Sequence, residues 1–367
     1  MEIRISRYYR RIPVFSMIWA RIVLCLLFAL FAAGTSEPGQ AKNAALERPI
    51  LPGRSRALAP DPVVQGMLNQ VQSSVLYDYV SGLSGEKAVT IGGTPFRLYT
   101  RSTGAATYIE KATQYAYEHF QGLGLDVTYH NWTYYGGQRR NVAAEQPGTD
   151  PNCLYLLAAH LDDTSQTANT IAPGADDNAS GVAGVFVAAD ILSKYHFTCS
   201  LRYVLFSGEE QGFYGSEAYA QEAAVNDDPI LGVLNLDMIA YNTPGSAATI
   251  EMDIRSGTAG NPDRVLSTMI TDVIQAYQLN LTAVVYPSND AGSDQYSFWQ
   301  AGFPAVLVIE DWEDHTPYYH TLSDDVDSLN LDYFTAYVKA ILGAAAHLGK
   351  PTILPPSFRV YFPLVTR

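Results

Sequence analysis

The sequence predicts an α/β domain built on a central, mixed but mostly parallel twisted β-sheet that is flanked by helices. Near-continuous apolar runs of strand length recur along the chain, as expected for parallel strands that are buried on both faces. Segments with apolar residues at helical spacing separate these runs, and strands that alternate with helices indicate an α/β domain. The chain has 47% hydrophobic and 16% charged residues, which suits a well-buried core.

The elements of this domain follow one another between residues 62 and 350. Helical spacing of apolar residues predicts helices over residues 62–82, 103–123 and 180–195, from about residue 215, and over residues 262–278 and 331–348. Strand patterns cover residues 126–135, 153–160, 202–210, 231–242 and 303–310. We therefore expect residues 62–350 to form one folded domain.

Residues 1–34 are predicted to be a secretory signal peptide. Four arginines within residues 4–11 precede an apolar run from Ile18 to Ala33, which ends in small residues. An uncleaved anchor helix is the alternative, although the run is somewhat short for a membrane span. The protein would contact a membrane only if this segment is not cleaved. We expect a secreted protein that is extracellular or in the cell envelope.

Two further segments flank the domain. Residues 35–61 are rich in Ala, Pro, Gly and Arg without periodicity, which indicates a linker or a short pro-segment. The tail, residues 351–367, is set apart by prolines at 351, 355 and 356. An edge strand, a docking or sorting appendage and disorder remain alternatives for it.

The net charge excludes one class of function, and the cysteines predict a disulfide. The formal net charge of -14 argues against nucleic-acid binding, which needs basic patches. Cys25 lies inside the predicted signal peptide, so Cys153 and Cys199 are left in the mature chain. Each precedes a strand-like run, and if those strands are neighbours the two cysteines lie side by side. In an oxidising compartment we expect a disulfide between them, with two buried thiols as the alternative.

The stretch GADDNASG, residues 174–181, places two adjacent carboxylates before an apolar helix. Asp, Asn and Ser can each cap a helix, but one such residue is enough. Asp176 and Asp177 side by side repel each other, and a bound cation would relieve that repulsion. The stretch therefore indicates a cation site.

Polar side chains also follow the apolar runs LYLLAA, RYVLFSG, LGVLNL and PAVLVIE of four predicted strands. These candidate residues are His160, Asp162, Glu209, Glu210, Asp237 and His320. Open α/β sheets bind ligands outside the carboxyl ends of their strands, so these side chains can meet Asp177 in one crevice.

Imidazole together with carboxylate is a ligand set suited to zinc and similar ions. The set exceeds what one tetrahedral ion needs, and a shared carboxylate makes a two-metal site with a separation on the order of 3.5–4 Å. The Asp162 carboxylate can accept the second ring N–H of His160 and orient it. Of the adjacent pair Glu209 and Glu210, one can bind metal while the other acts as general base.

Six segments of the chain can be compared together: AAHLDD, APGADDNASGVAG, LFSGEEQGFYGS, LNLDMIAYN, GSDQYSFWQAGFPAV and YYHTLSDDVDSLN. In their order and spacing, these segments resemble the secreted co-catalytic zinc aminopeptidases. That family also includes glutamate carboxypeptidase II, the transferrin receptor and relatives of glutaminyl cyclase. The resemblance covers roughly residues 65–348 and implies the zinc-exopeptidase, phosphorylase/hydrolase-like fold.

The resemblance implies a role for each candidate residue. His160 and Asp237 would be the terminal ligands of one zinc ion, and Glu210 and His320 those of a second. Asp177 would bridge the two ions, with a cis peptide bond to Asn178.

Three other side chains would serve catalysis without binding metal. By the same resemblance, Glu209 would be the general acid/base, Asp162 would orient His160, and Tyr319 would help to stabilise the oxyanion. The chain departs from the family at Gln295, where His is common, and at Leu322, where Pro is common. His315 is a rival ligand to His320.

The expected function is that of a zinc-dependent aminopeptidase, a monomer that acts on peptides with a free N-terminus and prefers apolar first residues. Alternatives are a carboxypeptidase or dipeptidase, a glutaminyl cyclase, and a non-catalytic binding protein of the same fold. Arg255 is the candidate that could receive a substrate carboxylate in a carboxypeptidase. Tyr241, Phe298 and Trp312 are candidates for the specificity pocket.

Overall fold

The structure is a computed structural model, and it describes residues 57–257 and 260–352. Its strands are β1 (Val89–Ile91), β2 (Thr94–Phe96), β3 (Asp126–Tyr134), β4 (Gly137–Gln146), β5 (Asp150–His160), β6 (His196–Phe197), β7 (Cys199–Phe206), β8 (Ile230–Leu236), β9 (Thr249–Arg255), β10 (Thr282–Ser288), β11 (Ala305–Ile309) and β12 (Pro351–Thr352). Its α-helices are α1 (Pro62–Leu68), α2 (Ser73–Leu83), α3 (Ala106–Gly122), α4 (Gly181–Leu192), α5 (Tyr214–Val225), α6 (Asp263–Ala276), α7 (Gln295–Gln300) and α8 (Leu331–Gly349).

Eight strands form the central sheet in the order β10-β9-β11-β8-β5-β7-β4-β3. The four middle strands β11, β8, β5 and β7 are parallel to one another. Towards the edges the sheet is mixed, because β9 runs antiparallel to β11 and β4 antiparallel to β7. The predicted mixed, mostly parallel sheet is therefore confirmed.

The central strands are buried on both faces. In β5, Leu157 and Ala159 belong to one buried apolar cluster, together with most of α4 and α8. Leu156 and Ala158 belong to a second cluster on the opposite face, which α5 and α7 cover. Because successive side chains of a strand point to opposite faces, a strand between two cores needs apolar residues at every position. This requirement explains the continuous apolar runs.

The carboxyl ends of the parallel strands lie at one edge of the sheet and carry the candidate site. His160 is the last residue of β5, and Asp237 follows β8 directly. Glu209 comes three positions after the end of β7. Three central strands thus bring residues from distant parts of the chain to one place.

The disulfide between Cys153 and Cys199 is present, with 4.7 Å between the two Cα atoms. The strands β5 and β7 are parallel neighbours, and Leu154 lies opposite Ser200 in their register. The two cysteines immediately precede these positions, where the register is irregular between Asp150 and Leu154, so they lie side by side near the start of adjacent strands. The prediction of a bridge is confirmed.

The described residues extend a few positions beyond each end of the predicted domain. The predicted signal peptide, residues 35–56 of the linker and residues 353–367 of the tail lie outside the described residues. Leu58 already packs against the core, and Asp61 caps α1 by accepting from the N–H of Val63 at 2.7 Å. At the other end, β12 pairs antiparallel with β6. Among the described helices, none combines the length and the apolar character that a membrane crossing requires.

The single helix predicted over residues 62–82 is wrong, because the structure forms two helices, α1 and α2. A continuous helix would place Val71 and Val75 on one buried stripe. In the structure Val71 is 5% exposed, Val75 is 37% exposed, and Leu76 is fully buried instead. The turn between the helices changes the direction of the second helix, so that Leu76 packs into the core.

Candidate active site

Five predicted ligand side chains lie together at the carboxyl edge of the sheet, and they form two overlapping groups. In the first group, the Nε2 atom of His160 lies 3.1 Å from Asp237 Oδ1 and 3.3 Å from Asp177 Oδ1. In the second, the Nε2 atom of His320 lies 3.1 Å from Asp177 Oδ2 and 3.1 Å from Glu210 Oε2. Asp177 belongs to both groups and turns one carboxylate oxygen towards each histidine.

The backbone around Asp177 is unlike the helix that follows it. The peptide bond between Asp177 and Asn178 is cis, as the family resemblance implied. The Asn178 side chain donates to the Leu236 carbonyl at 2.9 Å and accepts from the N–H of Gly181 at 2.9 Å. Gly174 has φ +49°, and a Cβ atom there would overlap the Asp177 carbonyl. The turn is thus tied to the end of β8 and needs glycine at its entry.

The donor set fits divalent metal ions. Asp177 is 4% and Asp237 6% exposed, and the Glu210 Oε1 atom is buried without a hydrogen-bond partner. Burial and the neighbouring Asp177 raise the pKa of Glu210 to about 8. Burial also opposes ionisation of Asp177, but the two histidines outweigh it and lower its pKa. Crowded buried carboxylates that face imidazole nitrogens are the arrangement that a shared cation stabilises.

Asp162 orients His160 through its backbone and not, as predicted, through its carboxylate. The Nδ1–H of His160 donates to the Asp162 carbonyl oxygen at 3.1 Å, whereas Asp162 Oδ1 is 4.0 Å away. The carboxylate instead accepts from the backbone N–H of Glu209 at 3.2 Å and from the Thr103 hydroxyl at 3.1 Å. Asp162 therefore fixes the tautomer of the histidine and, separately, the backbone of Glu209.

Glu209 and Tyr319 both lie next to the five ligand side chains. A Glu209 carboxylate oxygen lies within 4.8 Å of ligand atoms of His160 and Glu210. The Tyr319 ring stacks on the His320 ring with 3.7 Å between centroids. Burial and the nearby carboxylates, Asp177 first among them, raise the pKa of the Tyr319 hydroxyl, so it stays a hydrogen-bond donor.

Other candidates named from the sequence lie elsewhere. His315 stacks on Trp312 at 4.5 Å and does not belong to the ligand groups found among the described residues. Arg255 pairs with Asp263 at 2.7 Å, so its charge is already matched. Phe298 is fully buried in the second core and cannot line a pocket, whereas Trp312 is 47% exposed.

Two buried carboxylates that the sequence motifs did not single out hold the loops of the site. Asp324 Oδ1 and Oδ2 accept from the backbone N–H groups of Asp176 and Asp177 at 2.9 and 3.1 Å. Glu310 accepts from the N–H groups of Tyr241 and Thr316 at 3.0 and 2.8 Å. Glu310 directly follows β11, and Asp324 lies four residues after His320. These two positions were the available signals in the sequence.

Replacing Asp324 by Asn is expected to weaken divalent-metal binding by about 10- to 100-fold, since residues that hold metal ligands in place typically contribute that much. An amide has one acceptor oxygen, and its NH₂ group would face the N–H of Asp177. Competition between the apo protein and a chromophoric chelator measures the affinity. Asp325→Asn is the matched control, because Asp325 is exposed and caps a short turn. Equal affinities of the two variants would contradict this role of Asp324.

Comparisons with known proteins agree with this geometry. The model of "Peptidase family M28" matches residues 141–345. A protein of Arthroderma otae described as a probable leucine aminopeptidase is 27% identical over 268 residues, which cover 70% of this chain and 70% of the relative.

Three solved structures are also similar. The LapA aminopeptidase of Legionella pneumophila aligns with a TM-score of 0.65 at 21% identity, covering 78% of this chain and 75% of its own. The zinc aminopeptidase BSAP of Bacillus subtilis gives 0.60 at 12% identity, with 76% and 96% covered. A glutaminyl cyclase of Bacteroides thetaiotaomicron gives 0.59 at 16% identity, with 75% and 97% covered. At these identities the similarity shows a shared fold.

Proposed function

Because the chain belongs to peptidase family M28, whose model matches more than half of its residues, we propose that it is a zinc-dependent aminopeptidase that hydrolyses the N-terminal bond of peptides. The observation that carries the proposal is Asp177, whose two carboxylate oxygens face His160 at 3.3 Å and His320 at 3.1 Å. The relative described as a probable leucine aminopeptidase supports the same activity.

Two zinc ions are part of this proposal. His160, Asp237 and one oxygen of Asp177 would hold the first ion, and His320, Glu210 and the other oxygen of Asp177 the second. When bound, zinc lowers the pKa of a coordinated water and polarises the carbonyl group of the scissile bond.

Glu209 is the proton carrier in this mechanism. Its carboxylate accepts a proton from the attacking water as the water oxygen bonds to the carbonyl carbon. The same carboxyl then gives the proton to the amine nitrogen as the C–N bond breaks. The hydrogen bond from its backbone N–H to Asp162 keeps Glu209 in register with the ligand groups.

Substrate recognition follows from the charge and the apolar surface around the site. Carboxylates surround the reacting bond, so a positively charged α-amino group is attracted there and selects the N-terminus. The Tyr319 hydroxyl donates to the carbonyl oxygen as negative charge develops on it. Trp312, Tyr319 and Leu322 are 47%, 37% and 45% exposed, which supports a preference for apolar first residues.

A substrate panel with and without chelator tests the proposed function. We expect leucine p-nitroanilide to be hydrolysed, N-acetyl-leucine p-nitroanilide to be resistant, and the activity to be lost with 1,10-phenanthroline and restored by zinc. Cleavage of N-acetylated peptides with a free C-terminus would instead indicate a carboxypeptidase. Conversion of N-terminal glutamine to pyroglutamate would indicate a cyclase. If no substrate is turned over and no zinc is bound, the protein is a non-catalytic binding protein of this fold.

We also propose that the protein functions outside the cytoplasm, and the Cys153–Cys199 disulfide supports this location. N-terminal sequencing of the chain recovered from the medium or cell envelope tests it. A mature chain that begins near residue 35 is expected, and retention of the intact N-terminus in the cytoplasm would contradict the proposal.

A further inference from the structure

The tip of the β3–β4 hairpin lies beside the proposed general base. Trp132 of β3 donates from Nε1 to the Ser207 hydroxyl at 3.1 Å. Gly208 has φ +85°, and a Cβ atom there would overlap the Trp132 ring. Since Gly208 immediately precedes Glu209, the indole ring packs directly against the backbone of the reacting site.

Arg139 of β4 is the register partner of Trp132 and reaches the same place by a second route. Its Nε–H donates to the Thr103 carbonyl at 2.8 Å, and the Thr103 hydroxyl donates to Asp162 Oδ2 at 3.1 Å. Asp162 Oδ1 in turn accepts from the N–H of Glu209 at 3.2 Å. Two residues therefore separate the Arg139 guanidinium from Glu209.

The charge of Arg139 is not matched by a carboxylate among the described residues. Arg101, Arg202 and Arg255 each lie within 3.1 Å of at least one Asp or Glu oxygen. Three other described arginines, Arg97, Arg140 and Arg264, are unpaired as Arg139 is, so what sets Arg139 apart is its link to Glu209 through Thr103 and Asp162. The full chain has 37 acidic against 23 basic side chains, so acidic partners are abundant. The Nη1 of Arg139 donates to the Gln138 carbonyl at 2.8 Å, and its side chain is half-buried. A planar guanidinium that is half-buried and has no carboxylate partner is suited to bind a carboxylate in bidentate fashion.

We propose that Arg139 binds the C-terminal carboxylate of short peptide substrates, on the side of the scissile bond that leaves with the amine. The inference rests on the proposed aminopeptidase function and names its substrate class. A short peptide carries an ammonium group at one end, which the acidic cluster attracts, and a carboxylate at the other, which Arg139 attracts.

Aromatic side chains cluster beside Arg139, whose guanidinium lies 5.9 Å from the centre of the Tyr134 ring. Tyr214 stacks on Trp132 with 6.1 Å between centroids, and Tyr134 contacts both rings edge-on. Tyr135 meets Tyr134 at 4.7 Å and is 92% exposed. Exposed rings of this kind offer an apolar surface to the residues after the scissile bond. Arg139 and these rings together favour short peptides with a free C-terminus over amidated or long chains.

The test compares each peptide of the series Leu-Gly, Leu-Gly-Gly and Leu-Gly-Gly-Gly with its C-terminal amide. The wild-type enzyme should prefer the free acid of at least one length by about tenfold in kcat/KM, mostly through KM, because a charge-assisted hydrogen bond contributes on the order of 1.4 kcal/mol or more. In Arg139→Gln this acid-to-amide ratio should fall to about one. Arg139→Lys keeps the positive charge but lacks the planar pair of N–H donors, so it should retain part of the preference.

Arg140→Gln is the matched control, since Arg140 projects from the other face of β4 and donates to Thr113 at 2.8 Å. Its acid-to-amide ratio should equal that of the wild type. An acid-to-amide ratio near one at every length in the wild type would overturn the inference without needing a variant. An unchanged ratio in Arg139→Gln would overturn it as well. Failure to hydrolyse leucine p-nitroanilide would instead count against the aminopeptidase function itself.

Discussion

Replacing Glu209 by Gln is expected to lower kcat by about 10²- to 10⁴-fold while the bound metal stays unchanged. Positioned proton carriers typically contribute rate factors of this size, and an amide cannot accept the proton of the attacking water. Gln keeps the size of the side chain, and the backbone N–H that donates to Asp162 is not altered. Turnover of leucine p-nitroanilide and the zinc-to-protein ratio, measured on the same sample, separate chemistry from metal loss.

Glu210→Gln is the matched control because Glu210 is the adjacent residue with a different position. Its Oε2 faces the His320 Nε2 at 3.1 Å, so its replacement should lower the affinity for one of the two proposed metal ions. The two neighbouring substitutions are thus expected to give opposite signatures. A Glu209→Gln enzyme with near-normal turnover, or one that has lost its zinc, would refute the assignment of Glu209.

The sheet and the location of the site were predictable because their causes are local in the sequence. A strand that is buried on both faces is apolar along most of its length. Residues 154–159 of β5, 203–206 of β7 and 305–309 of β11 form such apolar runs. Parallel strands end at one edge, so polar residues after them had to converge there. The match to the M28 family confirms the resemblance that these segments carried.

Of the outer strands, β3 was predicted, but β4, β9 and β10 were not, because their patterns are weaker. In β9 buried and partly exposed residues alternate, and in β10 most positions are exposed, since these strands lie towards one edge of the sheet. In β4 the first half is polar and only residues from Asn141 onwards are mostly buried. Short, half-exposed strands of this kind resemble loops in composition, and pairing with a neighbour decides their structure.

The supporting residues of the site were missed for a different reason. Asp324 acts on the N–H groups of Asp176 and Asp177, which lie almost 150 positions earlier in the chain. Spacing within one segment carries no information about such a contact. The orientation of His160 shows the same limit, since its partner in Asp162 is the backbone carbonyl, which every residue possesses. Residue type predicted the ligand chemistry, and tertiary packing decided which atoms make the contacts.

Replacing Arg101 by Met is expected to lower the free energy of unfolding by about 3–5 kcal/mol, the range for removing one partner of a buried ion pair. Arg101 and Asp163 are both fully buried, and Nη1 lies 3.1 Å from Asp163 Oδ2. The guanidinium also donates to the carbonyls of Leu83, Leu161 and Gly174 at 2.6 to 2.9 Å. It thus joins α2, the end of β5 and the turn before Asp177. Urea unfolding followed by circular dichroism measures the loss.

The pH dependence of this loss distinguishes the unpaired charge from the lost hydrogen bonds. Burial raises the pKa of Asp163 to about 7 even though Arg101 opposes the shift, so without Arg101 the pKa must rise further. In the unfolded chain the Asp163 carboxyl is ionised at both pH 6 and pH 9, so the fold loses stability with rising pH until Asp163 ionises in the fold as well, and without Arg101 this happens only at a higher pH. The Arg101→Met loss should therefore be larger at pH 9 than at pH 6. Arg264→Met is the control, because Arg264 is exposed, and its effect should stay within about 0.5 kcal/mol at both pH values. A loss that is equal at pH 6 and pH 9 would show that the carbonyl contacts, and not the charge of Asp163, make Arg101 necessary.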